Sequence, residues 1–149
     1  MNVELMKRMM DACYLAQRVR GMLPTLPEGV TPSYIHYLDI IETLSRQGIQ
    51  VKVSDISDAL ALPRPGVTRT VKEMEARGYL KKLASPEDGR ITYLTVTPSG
   101  KALSEKYNRQ VFNALSDCME EISEEDVKCT IHTIEQFYQI MCERRINLD

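Results

Sequence analysis

The chain has 149 residues, 43 % of them hydrophobic and 27 % charged, with a formal net charge of −2. That length suits one compact domain with extensions, and the composition is too apolar for a disordered chain. No apolar run reaches the roughly 18 residues of a membrane helix, so no membrane partner is expected. The first eight residues, Met1 to Arg8, lack the continuous apolar stretch of a secretion signal, which makes a cytoplasmic location the expectation. The cysteines Cys13, Cys118, Cys129 and Cys142 match no short zinc-ligand spacing. They are expected to be reduced and packed, and no cofactor is expected.

The overall charge hides a segregation. Residues 1–63 sum to −1, residues 64–90 to +3 and residues 91–149 to −4. Local potential, not the total, steers a polyanion, so the short basic block is the place to look for one.

Residues 3–20 carry Leu5, Met6, Met9, Met10, Cys13, Ala16 and Val19 at the three-to-four spacing of an amphipathic helix. Gly21, Pro24, Pro27 and Gly29 interrupt it. Thr31-Pro32 reads as an N-cap followed by proline, opening a helix to about Gln47 with Tyr34, Tyr37, Leu38, Ile41 and Leu44 on its apolar side. Gly48 ends it, and Ile49-Gln50-Val51 is expected as a short strand. Residues 53–60 fit a two-turn helix, Ala61-Leu62-Pro63 a turn, and residues 64–77 a further helix. Val67, Val71 and Met74 recur there at i, i+4 and i+7, and Gly78 stands at C′. Two short helices joined by a tight turn are a helix-turn-helix layout.

The period then changes. Tyr79 to Ala84 extend as a strand, Ser85-Pro86-Glu87-Asp88-Gly89 turn, and Ile91 to Val96 return. Thr97-Pro98 repeats the cap-and-proline signal and opens a helix through about Cys118, with Leu103, Tyr107, Val111, Ala114 and Leu115 on one side. Ser123-Glu124-Glu125-Asp126 resembles a capping box before a last helix bearing Val127, Ile131, Ile134, Phe137, Tyr138 and Met141. The expected fold is mainly α with a small β-hairpin wing: a single domain over 1–149, with a winged helix-turn-helix core at 32–97. The flanking helices at 3–20 and 98–146 have surplus apolar faces that suit a two-fold dimer, with Leu5, Met9, Leu115, Ile134 and Met141 as interface candidates.

Three ordered segments resemble the MarR family of transcriptional regulators: Asp55 to Leu60, Val67 to Glu75 with Gly78-Tyr79-Leu80, and Ser85 to Arg90 followed by Leu94 to Gly100. The resemblance is strongest over 53–103. It implies a homodimer that binds double-stranded DNA at an inverted repeat and regulates transcription, most simply as a repressor, and it implies no enzyme. Two departures stand out. Pro65 and Gly66 bring no hydrogen-bonding side chain to the helix expected to read bases, and Gly89 replaces an arginine common in the family's wing.

A helix fits the major groove, where its exposed side chains reach base edges. Arg64, Thr68, Arg69 and Lys72 are the candidates on that helix, and Lys82, Asp88 and Arg90 those on the wing. Arginine forks suit guanine or phosphate. The resemblance associates Arg90 with the minor groove and Asp88 with bracing the wing, and a narrow A·T-rich minor groove does attract arginine.

A small aromatic ligand is a further expected partner, with Tyr14, Arg18, Tyr34, His36 and Tyr37 as candidate contacts and Arg20 as an alternative positive charge. Cys13 looks something like the first-helix cysteine of the family's hydroperoxide-sensing branch, though the following spacing differs. Two rival readings are a winged helix that binds protein instead of DNA and, from His36 and His132, an enzyme. The basic block at 64–90 argues against the first, and the absence of a glycine-rich phosphate loop against the second.

Overall fold

The computed structural model describes residues 1–144 and 146. Helix α2 (Pro32–Arg46) is the element around which the first unit, Met1–Phe112, gathers its core. Its apolar residues spread over more than one face, since Tyr34, Ile35, Tyr37, Leu38 and Ile41 are all buried. Such a helix needs neighbours on several sides. They are α3 (Val53–Leu60), α4 (Arg64–Ala76), strand β2 (Thr92–Val96) and α5 (Pro98–Ser104). Leu38, Ile41, Ile56, Met74, Val51, Val67 and Val71 are the largest fully buried side chains. Each contributes about 1.5–3 kcal/mol by leaving water.

Strand β1 (Leu80–Ala84) pairs antiparallel with β2, from Leu80 opposite Val96 to Ala84 opposite Thr92. The two make a two-stranded sheet. The strand expected at 49–51 does not form. Val51 is buried, and its carbonyl accepts from the Leu94 N–H at 2.8 Å. Between Gly48 and Lys52, the N-cap of α3, there is room for that one tie and no ladder.

The helix expected from 98 to 118 forms with a change of pitch inside it. A π-helical segment, Glu105–Gln110, lies between α5 and α6 (Val111–Cys118). Wider turns of this kind are held by tertiary demands, and two are visible. The buried Tyr107 donates its hydroxyl to the Thr25 carbonyl at 3.2 Å, and the next residue, Asn108, donates its amide to the Ile35 carbonyl at 3.1 Å. Asn108 also donates to Ser104 Oγ at 3.0 Å, and Ser104 in turn to Glu42 Oε2 at 2.6 Å.

Helix α1 (Val3–Arg20) begins at Asn2, whose side chain accepts from the Leu5 N–H at 2.7 Å. It has no buried residue. The second unit begins at Asn113 and contains α7 (Glu124–Glu143). Ser123 caps α7 by accepting from the Asp126 N–H at 3.1 Å, and Glu124, Glu125 and Asp126 oppose the positive end of its dipole. It too has no buried residue. Of the five interface candidates, Leu5, Ile134 and Met141 are exposed and Met9 and Leu115 half-exposed. Helix α7 ends at Glu143, and Arg145, within the expected last helix, lies outside the described residues.

Candidate nucleic-acid interface

The turn between α3 and α4 is built from its own side chains. Ala61 ends α3 in the left-handed region at φ +50°, a conformation that glycine or asparagine adopts more readily. Ser57, buried on α3, donates its hydroxyl to the Leu62 carbonyl at 2.6 Å, and Leu62 returns its N–H to the Ser57 carbonyl at 3.0 Å. This pair closes the turn. Ser57 was not singled out from the sequence, because a serine on a short helix gives no sign of a partner five residues on.

Helix α4 starts at Pro63 without a side-chain cap. Its rotation is fixed by Val67, Val71 and Met74, which are at most 1 % exposed. At about 100° per residue, Arg69 points away from that stripe and Lys72 lies about 60° from Arg69 on the same outward side. Both are exposed, as is Arg64 in the first turn. Thr68 is half-buried on the flank. The neighbouring Thr70 hydroxyl is turned back to the Gly66 carbonyl at 3.1 Å. The outward face of α4 therefore carries Arg69 and Lys72, with the Glu73 carboxylate, which accepts from Tyr34, at its edge.

The wing tip is organised by Ser85 and Asp88. The buried Ser85 accepts from the N–H groups of Glu87 and Asp88 at 3.3 and 3.4 Å, and its own N–H donates to the Ile91 carbonyl at 2.9 Å. Asp88 accepts from the Arg90 N–H at 3.0 Å, from its Nε at 3.2 Å and from Nη2 at 3.3 Å. The Arg90 side chain is still 92 % exposed. Its guanidinium, then its backbone N–H, hold the Asp88 carboxyl below the usual carboxylate value. The wing tip thus presents a held, solvent-facing arginine. Lys82 is elsewhere: its Nζ lies 2.6 Å from Glu75 Oε2 on α4.

The root of the wing explains the segment Thr97-Pro98-Ser99-Gly100. Thr97 caps α5 by accepting from the Gly100 N–H at 3.1 Å, and donates its hydroxyl to the Gly78 carbonyl at 2.5 Å. A Cβ at Gly100 would overlap the Tyr79 carbonyl oxygen and lie 2.7 Å from Val96 Cγ1. Glycine is needed there for a close approach between α5 and the start of the wing. Gly78 itself sits at φ +78° and terminates α4.

A cleft of about 890 Å³ opens in the same unit. It is lined by Leu23, Leu26, Val30, Ile35, Val111 and Phe112, with Arg20, His36 and Asn108 among its polar groups. Of the ligand candidates Tyr14, Arg18, Tyr34, His36 and Tyr37, His36 alone is part of this lining. Tyr34 and Tyr37 are 2 and 3 % exposed and pack in the core. The Tyr34 hydroxyl donates to Glu73 Oε2 at 3.3 Å. Burial first, then the Glu73 charge, pushes its pKa up, with Arg77 opposing. Tyr14 is 63 % exposed on α1. The sequence missed Tyr107, Asn108 and Phe112 as cleft residues. All four cysteines are free thiols, Cys13 half-buried and the others exposed. Among the described residues no helix is long and apolar enough to cross a membrane, and no group of three or more metal-ligating side chains occurs.

A helix-turn-helix followed by a two-stranded wing, with a cationic second helix and an arginine at the wing tip, defines a winged-helix protein. Residues 28–91, which span α2 to the end of the wing turn, match the MarR family. The function that this match supports is the family's, DNA-binding transcriptional regulation and not enzyme chemistry. The chain is 24 % identical over 124 residues to an uncharacterised HTH-type transcriptional regulator, YdgJ, of Bacillus subtilis, covering 83 % of this chain and 75 % of that protein. It is 26 % identical over 110 residues to the transcriptional repressor MprA of Escherichia coli, covering 69 % of this chain and 62 % of that protein. The fold is similar to FabT of Streptococcus pneumoniae, crystallised with DNA, with a TM-score of 0.65 and 18 % identity over 91 % of this chain and 98 % of that one.

Proposed function

We propose that the protein is a homodimeric repressor that binds an inverted-repeat DNA operator with α4 in the major groove and Arg90 in the adjacent minor groove. The observation that carries this reading is the outward face of α4. Packing of Val67, Val71 and Met74 leaves Arg69 and Lys72 facing solvent, with Arg64 one turn earlier and Thr68 at the flank. Asp88 serves as the brace of Arg90, since a carboxylate is repelled by phosphate. The similarity to a named repressor and to a protein crystallised with DNA supports the same reading.

A second copy of the chain is the natural cover for α1 and α7. Helices with no buried residue are marginal alone in water, and each of these carries exposed leucine, isoleucine, valine or methionine. Leu5, Met9, Leu115, Ile134 and Met141 are the residues assigned to that interface. A dimer holds its two recognition helices about 34–36 Å apart or a multiple of it, which is why the operator is a repeat. The cleft is the proposed effector site for a small aromatic acid, its ring against Ile35 and Phe112 and its charge toward Arg20 and His36. A ligand there changes DNA affinity only if it binds one state of the dimer better than the other.

The test is fluorescence anisotropy with a duplex of about 30 base pairs enriched from a random pool by the wild-type protein. Arg69→Ala with Arg90→Ala should abolish preference for that duplex and flatten the log–log salt slope by about 0.9 for each phosphate no longer neutralised. An unchanged affinity refutes the assignment. Salicylate-like acids should weaken wild-type binding, and Arg20→Ala should remove that response. Sedimentation equilibrium should show a dimer that disappears on deleting residues 123–149.

A further inference from the structure

We propose that the Glu75–Lys82 ion pair sets the angle between the recognition helix and the wing, and that Lys82 acts through this brace and not as a phosphate ligand. The inference rests on the DNA-binding reading above. Alternation along β1 puts Lys82 on the same face as Leu80, which is 2 % exposed and part of the core. Lys81 points the other way and is exposed. Lys82 is thereby turned toward α4, and its Nζ reaches Glu75 Oε2 at 2.6 Å with both side chains about two-thirds covered, at 31 and 38 % exposure.

Glu75 is a costly residue for its place. It lies in the last turn of α4, which contains no basic side chain, and a carboxylate there faces the negative end of the helix dipole. Lys82 offsets that repulsion from the neighbouring strand. A two-stranded hairpin is marginal by itself, and this one leaves α4 through Gly78 at φ +78°. The Thr97–Gly78 hydrogen bond ties down the root. The Glu75–Lys82 pair ties the middle of β1, nearer the tip that carries Arg90. At about 3.3 Å per residue β1 spans about 17 Å, so a swing of about 10° moves the tip by about 3 Å, the length of a hydrogen bond.

Charge alone and bracing predict opposite outcomes. Removing a carboxylate from a DNA-facing unit raises affinity on electrostatic grounds. If the pair is a brace, Glu75→Gln instead lowers affinity for the enriched duplex about fivefold, and Lys82→Met lowers it by a similar factor with the salt slope unchanged. The double variant should be no weaker than either single one, because both remove one interaction. The charge swap Glu75→Lys with Lys82→Glu should recover affinity to within about twofold of wild type. A rise in affinity of Glu75→Gln with a slope steeper by about 0.9 identifies Lys82 as a phosphate ligand and overturns the brace. So do additive losses, or a swap that fails to recover. A wild-type protein that enriches no sequence overturns the DNA-binding reading and the brace with it, whereas intact wild-type binding with any of the other adverse results overturns the brace alone.

Discussion

Gly100→Ala is a substitution whose sign separates helix propensity from packing. Position 100 lies in the first turns of α5, where alanine by propensity stabilises by up to about 1 kcal/mol over glycine. The structure reverses that expectation. A Cβ at this position would overlap the Tyr79 carbonyl oxygen and come within 2.7 Å of Val96 Cγ1, against about 3.5–4.0 Å for a relaxed carbon–carbon contact. One of the opposing atoms is backbone, so no side-chain rotation relieves the overlap. Moving Tyr79 away strains its acceptance of the Thr97 N–H at 3.1 Å and the Thr97 hydroxyl bond to Gly78. Overpacking costs about 1–3 kcal/mol and a weakened hydrogen bond about 0.5–1.5 kcal/mol. After the propensity gain, a net loss of about 2 kcal/mol remains, which for a chain of this size lowers Tm by about 4–8 °C. The assay is thermal unfolding by circular dichroism, wild type and variant at one protein concentration. A Tm equal to or above wild type would refute the close approach of α5 to the wing root, and with it the account given for the glycine of Thr97-Pro98-Ser99-Gly100.

Ala61→Gly should act in the opposite direction: relieving a left-handed alanine outweighs the added freedom of the unfolded chain, and Tm should rise by about 1–2 °C. A fall in Tm would show that the turn does not hold residue 61 at positive φ. The Asp88–Arg90 pairing should be pH-dependent in a defined sense. Because Arg90 depresses the Asp88 carboxyl, the pairing contributes fully above the ordinary carboxylate value and disappears as pH falls through the lower folded value. NMR titration should show the Asp88 carboxyl carbon and the Arg90 Nε–H shifting together below that ordinary value. An Asp88 that titrates at or above it refutes the pairing.

What the sequence made legible is what depends on near neighbours in the chain. The spacing of Val67, Val71 and Met74 fixed which side of α4 is buried, and so which cations face out. Gly78 marked the helix end, and Ser123 the start of α7, because caps and positive φ are local demands. Thr31 illustrates the limit of that logic: it occupies the N-cap of α2 with extended backbone, but its side chain makes no capping bond. The π-helical segment was illegible for a different reason. Its causes are Thr25 and Ile35, separated from Tyr107 and Asn108 by 82 and 73 residues, and no periodicity within 98–118 encodes them. Ser57, Ser85 and Gly100 fall in the same class, since each matters for the backbone it meets after folding.

Two of the ligand candidates, Tyr34 and Tyr37, lie in the core for a subtler reason. Tyrosine has an apolar body and a polar tip, so a row of tyrosines on a helix suits a pocket or a core equally well. What decides is the row they share. Tyr34 and Tyr37 recur with Leu38 and Ile41 at helical spacing, and Leu38 and Ile41 are fully buried. A row that packs against α3 and α4 has no remaining surface for a ligand. His36, off that row, is exposed on α2 and reaches the cleft lining. The other walls come from the Arg20 to Val30 segment and from the helix after the wing, whose register near the cleft is set by the π segment. On α2 the proposed effector site therefore draws on His36, turned away from the core, and on Ile35 at the core's edge. Substitutions at Arg20, His36 and Phe112, and not at Tyr34 or Tyr37, are the ones expected to separate ligand response from folding.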